Sequence, residues 1–229
     1  MITDSFQAPL LRELRFDAYD SNDCELSWVP HGDLAFAWPK LPALELLHIR
    51  AGGSGNLGTL DLPRLRTFIR ETGGLLREDV RAICRIPRPA LEHLELWTGT
   101  TAYEGEVTLE DLAPILAGDH FPALRHLGIV NSELSDAIIP ALVASRILRQ
   151  LDSLDLSRGI FARAATTQLV EHARHFRHLA SFDLSENVLV DEEIAELRAV
   201  LDNIITQDQR EREDDFPDDP GTRYVAVGE

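Results

Sequence analysis

Cysteine is scarce in this chain. Cys24 and Cys84 are the only two among 229 residues, too few for a disulfide framework and consistent with a reducing cytoplasm. Basic residues are outnumbered: 22 Lys+Arg face 39 Asp+Glu, a net charge of -17. Binding to nucleic acid is driven by Lys/Arg replacing counterions on phosphate, so this charge argues against a nucleic-acid partner. No run approaches 18 apolar residues, which removes a membrane-spanning helix from consideration. The start, Met1-Ile2-Thr3-Asp4-Ser5, lacks a basic segment followed by an apolar one, so no secretory leader is expected. What remains, 44% hydrophobic and 27% charged, is ordinary globular material.

A self-similar unit, apolar-x-x-apolar-x-apolar, runs through most of the chain. It occurs at Leu11/Leu14/Phe16, Leu44/Leu47/Ile49, Leu91/Leu94/Leu96, Leu124/Leu127/Ile129, Leu151/Leu154/Leu156 and Leu179/Phe182/Leu184. A degraded copy at Leu65/Phe68 carries Arg70 where the third apolar residue belongs. First positions are 33, 21, 26, 33, 27 and 28 residues apart. Pro9, Pro42, Pro63, Pro89 and Pro122 each lie two residues before a first Leu. A proline there ends whatever precedes the strand, because it lacks an N–H and disfavours helix in the residue before it.

Helix signals fill the intervals. Thr108 and Asp111 have capping-box spacing ahead of Leu109 to Leu116. Asp136 to Ala144, Ala164 to Arg174 and Asp191 to Leu201 carry apolar residues at helical spacing, and Arg77 to Cys84 suits a short helix. The Leu44 repeat is only 21 residues long and holds Gly52, Gly53, Gly55 and Gly58, so it reads as a plain turn-rich return.

This pattern resembles leucine-rich repeats, over roughly residues 9 to 205. Repeats of 26 to 28 residues with helical returns are similar to the ribonuclease-inhibitor-like type. In the copy Leu179 to Leu189, Asn187 and Leu189 fill the family's asparagine and following leucine positions; elsewhere that asparagine site holds Gly52, Gly99, Ser132 or Gly159. The stretches Glu92-His93-Leu94-Glu95-Leu96-Trp97, Asp111-Leu112-Ala113-Pro114-Ile115-Leu116-Ala117-Gly118 and Arg125-His126-Leu127-Gly128, with Arg223-Tyr224-Val225-Ala226-Val227 near the end, resemble an uncharacterised family of bacterial cytoplasmic proteins. Its members are longer at the N-terminus, and no reaction is assigned to it. The resemblance implies an α/β leucine-rich-repeat solenoid: a short horseshoe arc with about seven parallel strands on the concave face, helices and turns on the convex face. Residues 1–206 would form the repeat domain, and 207–229 an acidic linker with an apolar tail.

Alternation along each strand then assigns the concave face. One column reads Glu13, Leu46, Thr67, His93, His126, Ser153, Ser181. The next reads Arg15, His48, Ile69, Glu95, Gly128, Asp155, Asp183, and a third reads Asp17, Arg50, Glu71, Trp97, Val130, Ser157, Ser185. The candidate partner-binding set is His48, Arg50, Ile69, Glu71, His93, Glu95, Trp97, His126 and Val130, with Asp155 and Asp183 at an acidic end. Trp97 beside Ile69 and Val130 is the kind of aromatic anchor that interfaces enrich. The opposing account is that the insertion around Tyr103 and Glu104 covers it.

Other chemistry is weaker. Gly53-Ser54-Gly55-Asn56-Leu57-Gly58 matches a dinucleotide fingerprint, but Pro63 and the next strand leave no room for the helix that must meet the pyrophosphate. His172, His175 and His178 have helical spacing, yet read as the cationic end of a helix. His93, Glu95 and His126 are a conceivable acid–base cluster. Cys84 reads as a small buried hydrophobe. Gln207 to Asp219 hold seven acidic side chains and two arginines, a solvated linker.

The expectation is a non-catalytic module of the bacterial cytoplasm that binds another protein or peptide, without cofactor or metal. The alternatives are an accessory presenting a peptide or small substrate to a separate modifying enzyme, and an enzyme using His93, Glu95 and His126. The first strand has no cap before it, so self-association through that edge is also expected.

Overall fold

A computed structural model describes residues 7–16, 26–211 and 225–226. Phe6, Asp17, Cys24, Tyr224, Val227 and the acidic residues 212–219 lie outside the described residues.

The phased prolines share one local role. Pro42 is the second residue of a turn closed by the Leu44 N–H donating to the Leu41 carbonyl at 3.1 Å. Leu11 donates likewise to Ala8 at 3.1 Å, Leu65 to Leu62 at 3.1 Å, Leu91 to Arg88 at 3.2 Å and Leu124 to Phe121 at 3.2 Å. Proline fixes φ near the value this position of a β-turn requires. The turn launches each strand in the same phase.

Eight strands form an open sheet in the order β1 (Glu13–Phe16), β3 (Leu46–Arg50), β5 (Thr67–Glu71), β6 (His93–Gly99), β7 (His126–Ser132), β8 (Ser153–Asp155), β9 (Ser181–Asp183) and β10 (Ile204–Ile205). Every neighbouring pair is parallel. Among the described residues five helices return the chain: α1 (Arg77–Cys84), α2 (Leu109–Ala117), α3 (Ser135–Ala144), α4 (Arg163–His172) and α5 (Asp191–Arg198). Successive helices pack side by side. The core lies between these layers, with Leu47, Leu94, Leu127, Leu154 and Phe182 from the strands and Val80, Leu112, Ile139, Leu169 and Leu197 from the helices. Thr108 opens α2 as its spacing predicts, its N–H donating to Asp111 Oδ2 at 3.1 Å and its hydroxyl at 3.0 Å.

Two expectations are corrected. Among the described residues the main sheet has eight strands where about seven were expected, because Ile204–Ile205 pairs beside Phe182 and Asp183. The glycine-rich return is not a plain turn. It contains β4 (Gly52–Asn56), which pairs in parallel with β2 (Pro30–Asp33) in a second, two-stranded sheet. The glycines there serve close packing: a Cβ on Gly55 would fall 2.1 Å from the His31 ring.

Arg70, the apparent flaw in its repeat, is wholly buried. Its Nε donates to Asp79 of α1 at 2.9 Å; Nη1 donates to the Ala51 and Glu71 carbonyls, and Nη2 to that of Gly52. One guanidinium thus ties β5, the start of β4 and the first turn of α1 together. Arg88 closes the other end of α1, donating to the Ile83 and Ala82 carbonyls. Asn187, also wholly buried, donates to the Leu156 and Leu184 carbonyls and accepts from the Phe161 N–H.

The ends differ. At the β1 edge Leu10 is 86% exposed, while Leu11, Leu14 and Phe16 are partly buried against the core. Beyond β10, Gln207 to Arg210 stay bonded to the preceding turn: Arg210 donates to the Asn187 and Glu186 carbonyls, and Gln209 to that of Leu184. Val225 is buried and the Ala226 N–H donates to the Arg158 carbonyl at 3.0 Å.

Candidate functional site

The strand residues that point away from the helices form an open face, and the register assembles the columns that alternation assigned. His93 pairs with Thr67 and His126, and His126 with Ser153. Glu95 pairs with Ile69 and Gly128, and Gly128 with Asp155, followed by Asp183. From β3 to β9 the inward residues are buried while His48, Thr67, Ile69, His93, Glu95, His126, Ser153, Asp155, Ser181 and Asp183 are half-buried, so the sheet has one packed and one open side.

At the centre the two histidine rings stack, centroids 4.0 Å apart and 7° from parallel. His126 Nδ1 lies 2.7 Å from Ser153 Oγ. His93 Nε2 lies 3.5 Å from Glu95 Oε2, and the Trp97 indole N–H donates to Glu95 Oε1 at 2.7 Å. Gly128 makes room for this carboxylate, since a Cβ there would stand 2.8 Å from Glu95 Cγ. Burial, and then the neighbouring His93, depress the His126 pKa to about 4. Burial pushes Glu95 upward, but the His93 and Trp97 donors and the adjacent imidazoles outweigh it, leaving the carboxyl below its ordinary range.

Beside this centre, Glu71 joins His48 Nε2 at 3.1 Å and Arg50 Nη1 at 3.1 Å. On the other side Asp155 and Asp183 repeat one local motif, accepting from the Ser157 and Ser185 N–H groups, each at 2.8 Å.

Trp97 and Val130 require a correction. They lie in the column assigned to them, but at 8% and 2% exposure neither is a free anchor. The Arg158 guanidinium stands 5.1 Å over the indole, and the indole N–H is taken by Glu95. In the insertion, the Tyr103 carbonyl lies so close to Gly74 that a Cβ there would fall 1.8 Å away. Of the helical histidines, His172 and His175 meet edge to face at 6.2 Å, and His178 Nε2 bonds the Leu148 carbonyl. Burial raises the Cys84 thiol to about 11, far from a reactive thiolate.

Comparison with solved structures places this fold. The chain is similar to a structural-genomics crystal structure from Bacteroides fragilis, with a TM-score of 0.79 and 26% identity over 91% of this chain. It spans 57% of the length of that protein. No family model matches the chain, and no curated protein matches it. Among the described residues no helix is long and apolar enough to cross a membrane.

Sequence reasoning missed Arg158, Ser153 and Gly128 as parts of the centre. Arg158 has positive φ (63°) in the turn after β8, and nothing in its neighbours aims it at a tryptophan 61 positions away. Gly128 was visible as a gap in its column, opposite a glutamate.

The acidic end carries a pH-dependent prediction. Burial raises Asp155 to about 6, with nearby Asp183 and Glu95 adding to it against the Ser157 donors. The folded state therefore holds this proton more tightly than the unfolded chain, and stability falls as pH rises between the ordinary value of 3.8 and about 6. Asp155→Asn keeps an acceptor for the Ser157 N–H and removes the charge. It is expected to stabilise the protein by about 1–3 kcal/mol near neutral pH and to leave it unchanged at about pH 4. Urea denaturation at the two pH values checks this; an asparagine variant that is less stable near neutral pH sinks it.

Proposed function

We propose that the chain is a leucine-rich-repeat solenoid of the bacterial cytoplasm whose concave face binds another protein or peptide without catalysing a reaction. The carrying observation is the one-sided sheet. Its strands are parallel, with helices over one face and half-buried side chains of Leu46, Thr67, Ile69, Ser153 and Ser181 across the other. Repeat proteins use long faces of this kind for partners. A serine–histidine reaction is disfavoured because His126, held near pKa 4, is a poor base at neutral pH. The exposed Leu10 and β1, the end strand of the sheet among the described residues, extend the reading to association with a second copy.

Because Trp97 is covered, the test falls on its half-buried neighbours. Leu46→Arg with Ile69→Arg should weaken capture of a native partner at least about tenfold, while an exposed helix substitution, Arg174→Glu, leaves it unchanged. Retention of every captured protein by the face variant, or loss with the helix variant alone, overturns the proposal.

A further inference from the structure

We propose that His93, Glu95 and His126 form a binding site for a divalent transition-metal ion of the zinc class. Their donor atoms lie within 4.8 Å of one another, the one such group among the described residues. The set comes from two adjacent strands: register places His93 directly against His126, and Glu95 two residues along the same face. This site stands independently of the protein-binding reading.

The strongest indication is what the imidazoles leave undone. His126 Nε2 is shielded from solvent and has no hydrogen-bond partner, and His93 Nε2, equally shielded, has only the Glu95 carboxylate at 3.5 Å. A buried polar atom left unpaired keeps its full desolvation cost, and two shielded imidazole nitrogens beside a carboxylate form a donor set awaiting an acceptor of lone pairs. Neutral imidazole nitrogen and carboxylate oxygen are the ligands zinc-class ions take, and two histidines with one carboxylate is a common three-ligand set.

The surroundings fit that role. Metal-bound histidines are usually oriented through the other ring nitrogen; here Ser153 Oγ holds His126 Nδ1 at 2.7 Å, leaving Nε2 as the ligand atom. The Trp97 N–H holds Glu95 Oε1, leaving Oε2 turned toward His93. Nothing larger than the Gly128 hydrogen stands between Glu95 and the neighbouring strand. The parallel stack is the resting arrangement. Binding requires one ring to turn about its Cβ–Cγ bond until both lone pairs converge on a point about 2.0–2.1 Å from each nitrogen. The fourth position then opens from the sheet face, where a water or a partner's side chain completes the coordination.

The experiment uses untagged full-length protein stripped with chelator and titrated with Zn²⁺ alone by calorimetry, and with Co²⁺ alone by visible absorption. One ion per chain is expected, with Co²⁺ giving the intense band of a four- or five-coordinate site. His93→Asn, His126→Asn and Glu95→Gln should each weaken binding by more than about tenfold, and Trp97→Phe by about 10- to 100-fold as a change in orientation alone. His172→Asn with His175→Asn should change nothing. Thermal melts in chelator separate loss of metal from loss of fold. If a histidine variant does not fold, Glu95→Gln and the wild-type Co²⁺ spectrum decide. The proposal is overturned if the wild type takes up no Zn²⁺ at micromolar concentrations, if binding survives Glu95→Gln and both histidine substitutions, or if it disappears with His172 and His175.

Discussion

Arg70→Ala is expected to destabilise the protein by about 3–5 kcal/mol, the range for breaking a buried ion pair from one side. Arg70 has no exposed surface and its partner Asp79 is 2% exposed. Removing the guanidinium leaves Asp79 charged in a dry setting, where burial already raises its pKa and Arg70 is the group that pulls it down. It also takes a donor from the carbonyls of Ala51, Gly52 and Glu71, of which that of Glu71 keeps the Ala51 N–H. The double variant Arg70→Met with Asp79→Leu should recover part of the loss, because apolar replacement of a whole buried pair is often neutral, but not all of it, because the carbonyls still lack the donors that Arg70 supplied. Chemical denaturation of both single variants and the double completes the cycle. A single-variant loss below about 1 kcal/mol would show that the pair is hydrated and the packing around it loose.

Leu127→Ala should cost about 2–5 kcal/mol. Leu127 is fully buried in β7 and is flanked in register by Leu94 and Leu154, themselves buried. Neighbours on both sides are held by their own strands, so the site cannot collapse around the void. Leu14→Ala, on the edge strand and only partly buried, should cost clearly less. Equal losses at the two positions, or a loss at Leu127 below about half a kcal/mol, would mean that the strand phase is misassigned.

The strand phase, the facing columns and all five helices were legible because each is a local property: alternation within five residues, a proline two positions ahead, apolar spacing within a turn. β2 and β4 were not, since Pro30–Asp33 and Gly52–Asn56 carry no alternating apolar residues. They hold together through the backbone and the room that Gly55 leaves for His31. Arg70 looked like a lapse because a pattern displays residue types, not partners, and Asp79 belongs to the following helix. At the candidate site, the column placed His93 beside His126 across 33 positions. The stacking of their rings and the shielding of their Nε2 atoms depend on rotamers and on the depth of the face, which no column shows. Trp97 had the right direction and the wrong exposure, because Arg158 covers it from a turn two strands away.

The order of the sheet also determines how the molecule responds to tension. From β5 onward each strand is bonded to the main-sheet strand immediately before and after it in the chain. A pull on the C-terminal side therefore bears first on the Ala226–Arg158 and Arg210 contacts, then on the β9–β10 ladder and then on β8–β9, with no distant strand locked across them among the described residues. Register partners such as His126 and Ser153, or Ser153 and Ser181, are 27 and 28 residues apart. Each yielding event should release about 7–12 nm of chain, so the molecule gives way as a zip of short steps at modest force instead of a single rupture.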